Sequence, residues 1–344
     1  MKDFEILSRD TVVAVWQNAE LKVLNNALLP LYLKRVSNAN SWLETRAIDF
    51  HRANSRVLKQ ALRLAEKDDV STVLHVNAAT ITDTYWVREI GSDLKYEDIR
   101  FNKDYFSNLA LRGDYSSFNS AAKRKDTKTP ELTNIGSFEK CWKLRNGKWW
   151  IYKSANQKEQ FSELFVYELG KLLGMNMAYY EKGDKCVKSL DFTDSARVIF
   201  EPALSFMGDE EDYIKVVEKL KELCPTAIPD YIKMVFLDTI TANPDRHTGN
   251  FGLMRDAKTG ELLGLAPNFD NNMALIARGY PTSKSTNDLL ITLFNELMEK
   301  YPEYKEYLPK VTEQMVKKVI SKLNMKVKSQ VIADFVVNRN LMLK

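Results

Sequence analysis

The chain has 344 residues, 44% of them hydrophobic and 28% charged, with a net charge of +4, enough apolar side chain for roughly two to three packed units. The mild positive excess lacks the concentrated basic stripe of a nucleic-acid binder, and the dispersed cysteines Cys141, Cys186 and Cys224 exclude a disulfide scaffold and fit a reducing compartment. No apolar run approaches the ~18 residues of a membrane span and the N-terminus has no signal-peptide region, so a cytoplasmic protein with neither membrane nor direct nucleic-acid contact is expected.

Residues 11–33 read as short strands and turns, because 11–16 is rich in β-branched residues and Asn18, Asn25 and Asn26 punctuate the rest of the segment. From 40 to about 66, Leu43, Ile48, Val57, Leu58, Leu62 and Leu64 recur near helical spacing, with Asn40 or Ser41 as the cap. Residues 71–76 are strand-like. The polar, basic stretch 113–130, with Ser116, Ser117, Ser120 and Lys123-Arg124-Lys125, is either a join between modules or a surface loop, and the join is preferred.

Beyond Pro130 the local signals sharpen. In 133–139 a glycine with small polar neighbours enters a strand, so the backbone N–H groups of Ile135, Gly136 and Ser137 can face phosphate oxygens. Residues 140–145 and 148–153, joined by Asn146-Gly147, predict a hairpin with a two-residue turn. It ends on Lys153, a candidate charge for phosphate. A helix over 160–173 comes next, with Phe161, Phe165, Leu169 and Leu172 on one stripe and Gly174 as its stop. Glu163 or Glu168 can pair with Lys153; Glu163 is preferred, although periodicity does not separate them. A short strand at 197–200 runs into Glu201-Pro202-Ala203, where the backbone of Glu201 and Ala203 can meet an adenine edge.

A helix over 229–241 runs into Asn243-Pro244-Asp245-Arg246-His247-Thr248-Gly249-Asn250. Pro244 and the turn formers Gly249 and Asn250 would suit any polar turn. The conjunction of Asp245, His247 and Asn250 with Asp270, beyond a second hairpin over 252–267, is more specific. An Asp can take the proton of an attacking hydroxyl while an Asn and a second Asp hold Mg²⁺ on phosphates, which is the division of labour in phosphoryl transfer. His247 then organises the loop. Late helices are expected at 289–300 and 311–323.

Together these residues resemble the HipA family of bacterial serine/threonine kinases, over about residues 130–330 and more faintly upstream. Thr133, Gly136 and Lys140 match the family's phosphate loop, Lys153 its strand lysine, Glu163 the acid of the next helix, and Glu201 and Ala203 its adenine hinge. Asp245, His247 and Asn250 match its Asp-x-His-x-x-Asn loop, and Phe269-Asp270 its metal-binding pair. Phe138 stands where a Gln is usual. The resemblance implies an α+β, two-lobed protein-kinase-like fold, with a small β-rich nucleotide lobe, a mainly helical C-terminal lobe and an N-terminal α/β module. Its boundaries would be 1–112 for the module, 113–130 for a polar linker, 131–203 for the small lobe and 204–344 for the catalytic lobe. It also implies ATP and Mg²⁺ as ligands, a protein substrate, an antitoxin-like protein partner, and self-inactivation by phosphorylation of Thr133. Two other readings compete: a phosphoinositide or small-molecule kinase, which writes this loop similarly, and a nucleotide-binding toxin or interaction module without turnover.

Overall fold

The computed structural model describes residues 3–64, 67–114, 128–281 and 288–343. The expected join at 113–130, with its serines, therefore falls mostly outside the described residues. The architecture is mixed α/β, with several small antiparallel sheets among many helices. The chain forms two compact units: 1–154 with 188–201 and 254–261, and 155–187 with 202–253 and 262–344.

In the first unit, β1 (Phe4–Ser8), β2 (Thr11–Gln17), β3 (Glu20–Val23) and β4 (Tyr85–Glu89) form a sheet in the order β3-β2-β1-β4. Alternation along β1 sends Phe4 and Ile6 into a core with Trp16, Leu29, Leu33, Trp42 and Leu43. Leu7 and Trp86 join a second core, which also holds Leu58, Leu132 and the hairpin tryptophans Trp142 and Trp149. The N-terminal sheet and the hairpin thus share one interior. Burying side chains as large as Trp86 and Trp142 contributes about 2–3 kcal/mol each.

Two local expectations are corrected here. The helix expected over 40–66 is two helices, Ala39–Glu44 and Ala53–Ala61, and the first is capped by Asn38, whose side chain accepts from the N–H groups of both Asn40 and Ser41. The strand-like stretch at 71–76 is the helix Asp69–Leu74. Asp68 caps it by accepting the Ser71 N–H at 2.6 Å, which outweighs the β-propensity of Val70, Thr72 and Val73.

The hairpin forms as expected: β5 (Lys140–Arg145) and β6 (Lys148–Ser154) meet at Asn146 and Gly147, with φ of 52° and 74°. Two positive φ values are what a twist-matched two-residue turn requires. β9 (Val198–Pro202), which comes after β7 (Tyr180–Gly183) and β8 (Cys186–Leu190), ends where Pro202 was expected to end it. In this unit its Glu201 is buried with Arg255, which donates to Glu201 at 2.8 Å and to Tyr85 Oη at 2.7 Å. Burial holds the Glu201 carboxyl above its ordinary pKa despite the Arg255 charge.

The second unit is mainly helical. Asn156 and Glu159 form a capping box that starts the helix Gln157–Leu172, and Gly174 lies just past its end with φ of 72°. The helix Ile228–Thr241 is apolar nearly all round, so it is buried, and it ends with Ala242 in the left-handed region before Pro244. Phe236 meets Phe294 of the helix Leu289–Lys300 with ring centroids 6.0 Å apart. The helices Glu313–Leu323 and Ser329–Leu341 complete it. No helix among the described residues is long and apolar enough to cross a membrane.

Candidate functional site

The candidate phosphate loop lies in the first unit. Gly136 has φ of +100°, and a Cβ added there would stand 2.5 Å from Lys140 Nζ, so the ammonium lies against the backbone where a side chain would otherwise be. Lys153 Nζ sits 4.6 Å from the centre of the Phe138 ring. Phe138 therefore gives the lysine a cation–π partner. Lys140 and Lys153 are directly opposed across β5 and β6, and only 8% and 7% exposed. Opposed residues share a face of the hairpin, so the two ammonium-bearing side chains lie on the same side of it. Ile135 and Ser137 are exposed, as loop residues facing a ligand would be.

Thr133 does not stand on an open loop. It ends the 3₁₀ turn Pro130–Thr133, is 5% exposed, and donates its hydroxyl to the Ala79 carbonyl at 2.7 Å. Beneath it, the fully buried Glu131 accepts from the Trp142 N–H at 2.8 Å and from Asn134 Nδ2 at 3.0 Å. Burial pushes the Glu131 carboxyl up to about 7, with those two hydrogen bonds and the Arg52 charge opposing the rise.

The catalytic candidates lie in the second unit, around a residue that sequence reasoning passed over. Arg246 is buried and pairs with Asp238 of the helix Ile228–Thr241 through two bonds of 2.7 and 2.9 Å. Its Nη1 donates to the carbonyls of both Asn250 and Phe269, each at 2.7 Å, and its Nη2 reaches the side chains of Asn268 and Asn271. Burial opposes the Arg246 charge, but Asp238, Asp270 and Glu163 together raise its pKa above the ordinary value. Three neighbouring polar asparagines, Asn268, Asn271 and Asn272, all buried, were the available signal for such a hub.

This hub brings Asp245, Asn250 and Asp270 into one neighbourhood. Asn250 Nδ2 donates to the Asp245 carbonyl at 2.8 Å, which turns its Oδ1 the other way as a potential oxygen ligand. His247 is exposed and its Nδ1 accepts the Gly249 N–H at 3.1 Å. Asp270 has φ of 60°, costly for a non-glycine residue, and its N–H donates to Tyr180 Oη at 3.0 Å. Glu163 is fully buried and accepts the Asn271 N–H at 2.8 Å, so it fixes the backbone just after Asp270. Glu168 instead accepts from Lys322 Nζ at 2.5 Å.

Among the described residues, no group of three or more His, Cys, Asp or Glu could hold a metal unaided. Asn250 and Asp270 fit a lesser demand, since Mg²⁺ is commonly held by one or two protein oxygens together with substrate phosphates. Ala203 differs from expectation. Its N–H is donated to the Phe251 carbonyl at 2.8 Å and its own carbonyl accepts from Met207 at 2.7 Å, so both groups offered to adenine are engaged within the protein.

Neither a family model nor a curated protein matches the chain. Solved structures do. HipA of the Shewanella oneidensis MR-1 toxin–antitoxin system, solved with HipB and its operator DNA, aligns over 97% of both chains with a TM-score of 0.53 and 13% identity. The chain has a HipA-like fold. The Helicobacter pylori proinflammatory kinase CtkA aligns over 59% of this chain and 90% of its own, with a TM-score of 0.45 and 16% identity. The HipA alignment includes the N-terminal region, where the sequence resemblance is faint.

Proposed function

We propose that this protein is an ATP–Mg²⁺-dependent kinase that transfers the γ-phosphoryl group to a serine or threonine hydroxyl of a protein. The observation that carries the reading is the double bond-making of Arg246 Nη1. One nitrogen holds the carbonyls of Asn250 and Phe269 at 2.7 Å each, so the candidate metal ligands Asn250 and Asp270 belong to segments tied to a single atom.

In this reading Asp245 orients the acceptor hydroxyl and takes its proton as the oxygen bonds to the γ-phosphorus. The bond from that phosphorus to the β–γ bridging oxygen breaks and ADP leaves. Asn250 and Asp270 would hold Mg²⁺, which when bound neutralises charge on the β- and γ-phosphate oxygens. Lys153, Lys140 and the backbone of 135–137 hold phosphate oxygens, and Glu163 steadies the chain beside Asp270. The backbone of Glu201 and Ala203 serves adenine only after Ala203 releases Phe251.

Self-inactivation at Thr133 belongs to the same proposal. The hydroxyl must first leave the Ala79 carbonyl, and a group of nearly two negative charges cannot return to so buried a position. An antitoxin-like protein partner is proposed by analogy with the HipB complex of the Shewanella protein.

Calorimetric titration with ATP–Mg²⁺ tests the site. Wild-type protein should bind, and Asp270→Asn should weaken binding roughly tenfold or more through loss of a charged metal ligand. Equal binding by both proteins contradicts the assignment of Asp270. Phosphate transfer to lipid vesicles but not to protein would replace the protein-kinase reading with the lipid-kinase one.

A further inference from the structure

The phosphate loop is fastened at both ends by one side chain from the N-terminal region. Arg52, 3% exposed at the start of the helix Ala53–Ala61, donates Nη2 to the Asn134 carbonyl at 2.5 Å and Nη1 to the Lys140 carbonyl at 3.4 Å. The residues between those carbonyls are the loop itself. The same stretch adds two more ties: the Asn54 N–H donates to Glu139 Oε1 at 3.0 Å, and the Ile48 N–H to the Leu132 carbonyl at 2.9 Å. All of these residues belong to the first unit.

A buried guanidinium is costly, and burial lowers the Arg52 pKa although Glu131, Glu139 and Asp49 oppose that shift. Carbonyl oxygens at two separated points suit a planar fork and not an ammonium. We propose that Arg52 is a positioning residue for nucleotide binding: it holds the ends of the phosphate loop at the spacing that presents 135–137 to phosphates. This inference rests on the kinase reading for its ligand, but the fastening of the loop stands apart from it.

The test compares full-length wild type with Arg52→Lys and a control, Arg88→Lys. Arg88 is also mostly buried and bonded, to Glu5 and to the Leu94 carbonyl, but it lies on the N-terminal sheet. Hydrogen exchange is tracked without nucleotide at the amides of Asn134 and Ser154, whose acceptors are the carbonyls of Glu131 and Glu139. In Arg52→Lys these amides should exchange roughly tenfold faster, and the ATP–Mg²⁺ Kd and KM should rise roughly tenfold with kcat near wild type. Arg88→Lys should do neither. Should Arg52→Lys fail to fold, Glu139→Ala, which cuts the tie to Asn54, should shift the same readouts in the same direction. Exchange and Kd in Arg52→Lys matching those of Arg88→Lys overturn the inference. Wild-type protein that binds no ATP–Mg²⁺ overturns the kinase reading instead, and the exchange data then decide the fastening alone.

Discussion

The two halves of the candidate chemistry are held in opposite ways. The loop of Asp245 and Asn250 is organised by Arg246, whose partners Asp238, Asn250, Asn268, Phe269 and Asn271 lie within 25 positions of it in the chain. The candidate phosphate loop is held from a distance: Arg52 is 82 residues from Asn134, and Ala79 is 54 from Thr133. A local hub leaves a pattern in sequence, and a remote brace does not. The difference also separates their physical risks, since one loop depends on a single ion pair and the other on the whole N-terminal core.

The largest effect should come from breaking the local hub. Arg246→Ala strands the Asp238 carboxylate in a fully buried position, and should cost about 3–5 kcal/mol in urea unfolding monitored by the signal of the second unit. A loss no larger than that of an exposed pair such as Lys317–Glu313 would show that the hub is not what holds the loop of Asp245 and Asn250.

Under the candidate phosphate loop, Glu131 offers a test through pH. Its folded pKa is raised, from 4.5 to about 7, so the folded state binds the proton more tightly than the unfolded chain. The associated stability is fully present below about pH 4.5 and is lost as pH rises towards 7. Glu131→Gln keeps the shape and removes the titration, so it should stabilise the protein on the order of 2 kcal/mol at pH 8 and little at pH 4.5. A stability difference that does not change across that range would contradict the buried, raised carboxyl.

The smallest effect belongs to Phe138. Phe138→Leu removes the cation–π contact with Lys153 while keeping bulk, and should cost about 1 kcal/mol or less in stability. A larger loss, read by thermal unfolding, would make Phe138 a pillar of the loop.

Much of the fold was legible locally. The Asn-Gly hairpin, the helix Leu289–Lys300 and the strand ended by Pro202 were expected nearly as they stand, because turn chemistry and periodicity act over a few residues. The helix Asp69–Leu74 was misread because its β-branched run masks the cap at Asp68. At the site, Asp245, Asn250 and Asp270 were visible as a motif, whereas Arg246 looked like a spacer within it. The burial of Thr133 and the engagement of Ala203 with Phe251 could not be read, since each depends on a partner tens of residues away. The faint N-terminal resemblance has the same cause. The first sheet and the hairpin share one core through Leu7, Trp86, Trp142 and Trp149, and apolar packing of that kind tolerates many sequences.

The most direct measurement is transfer of labelled γ-phosphate from ATP–Mg²⁺ to protein, by wild type and by Asp245→Asn with matched ATP binding. The account predicts labelled serine or threonine from wild type, and a fall of about 10²–10⁴-fold in Asp245→Asn, the range expected for loss of a catalytic base. Undiminished transfer by Asp245→Asn, or no transfer from a wild type that binds ATP–Mg²⁺, would contradict it.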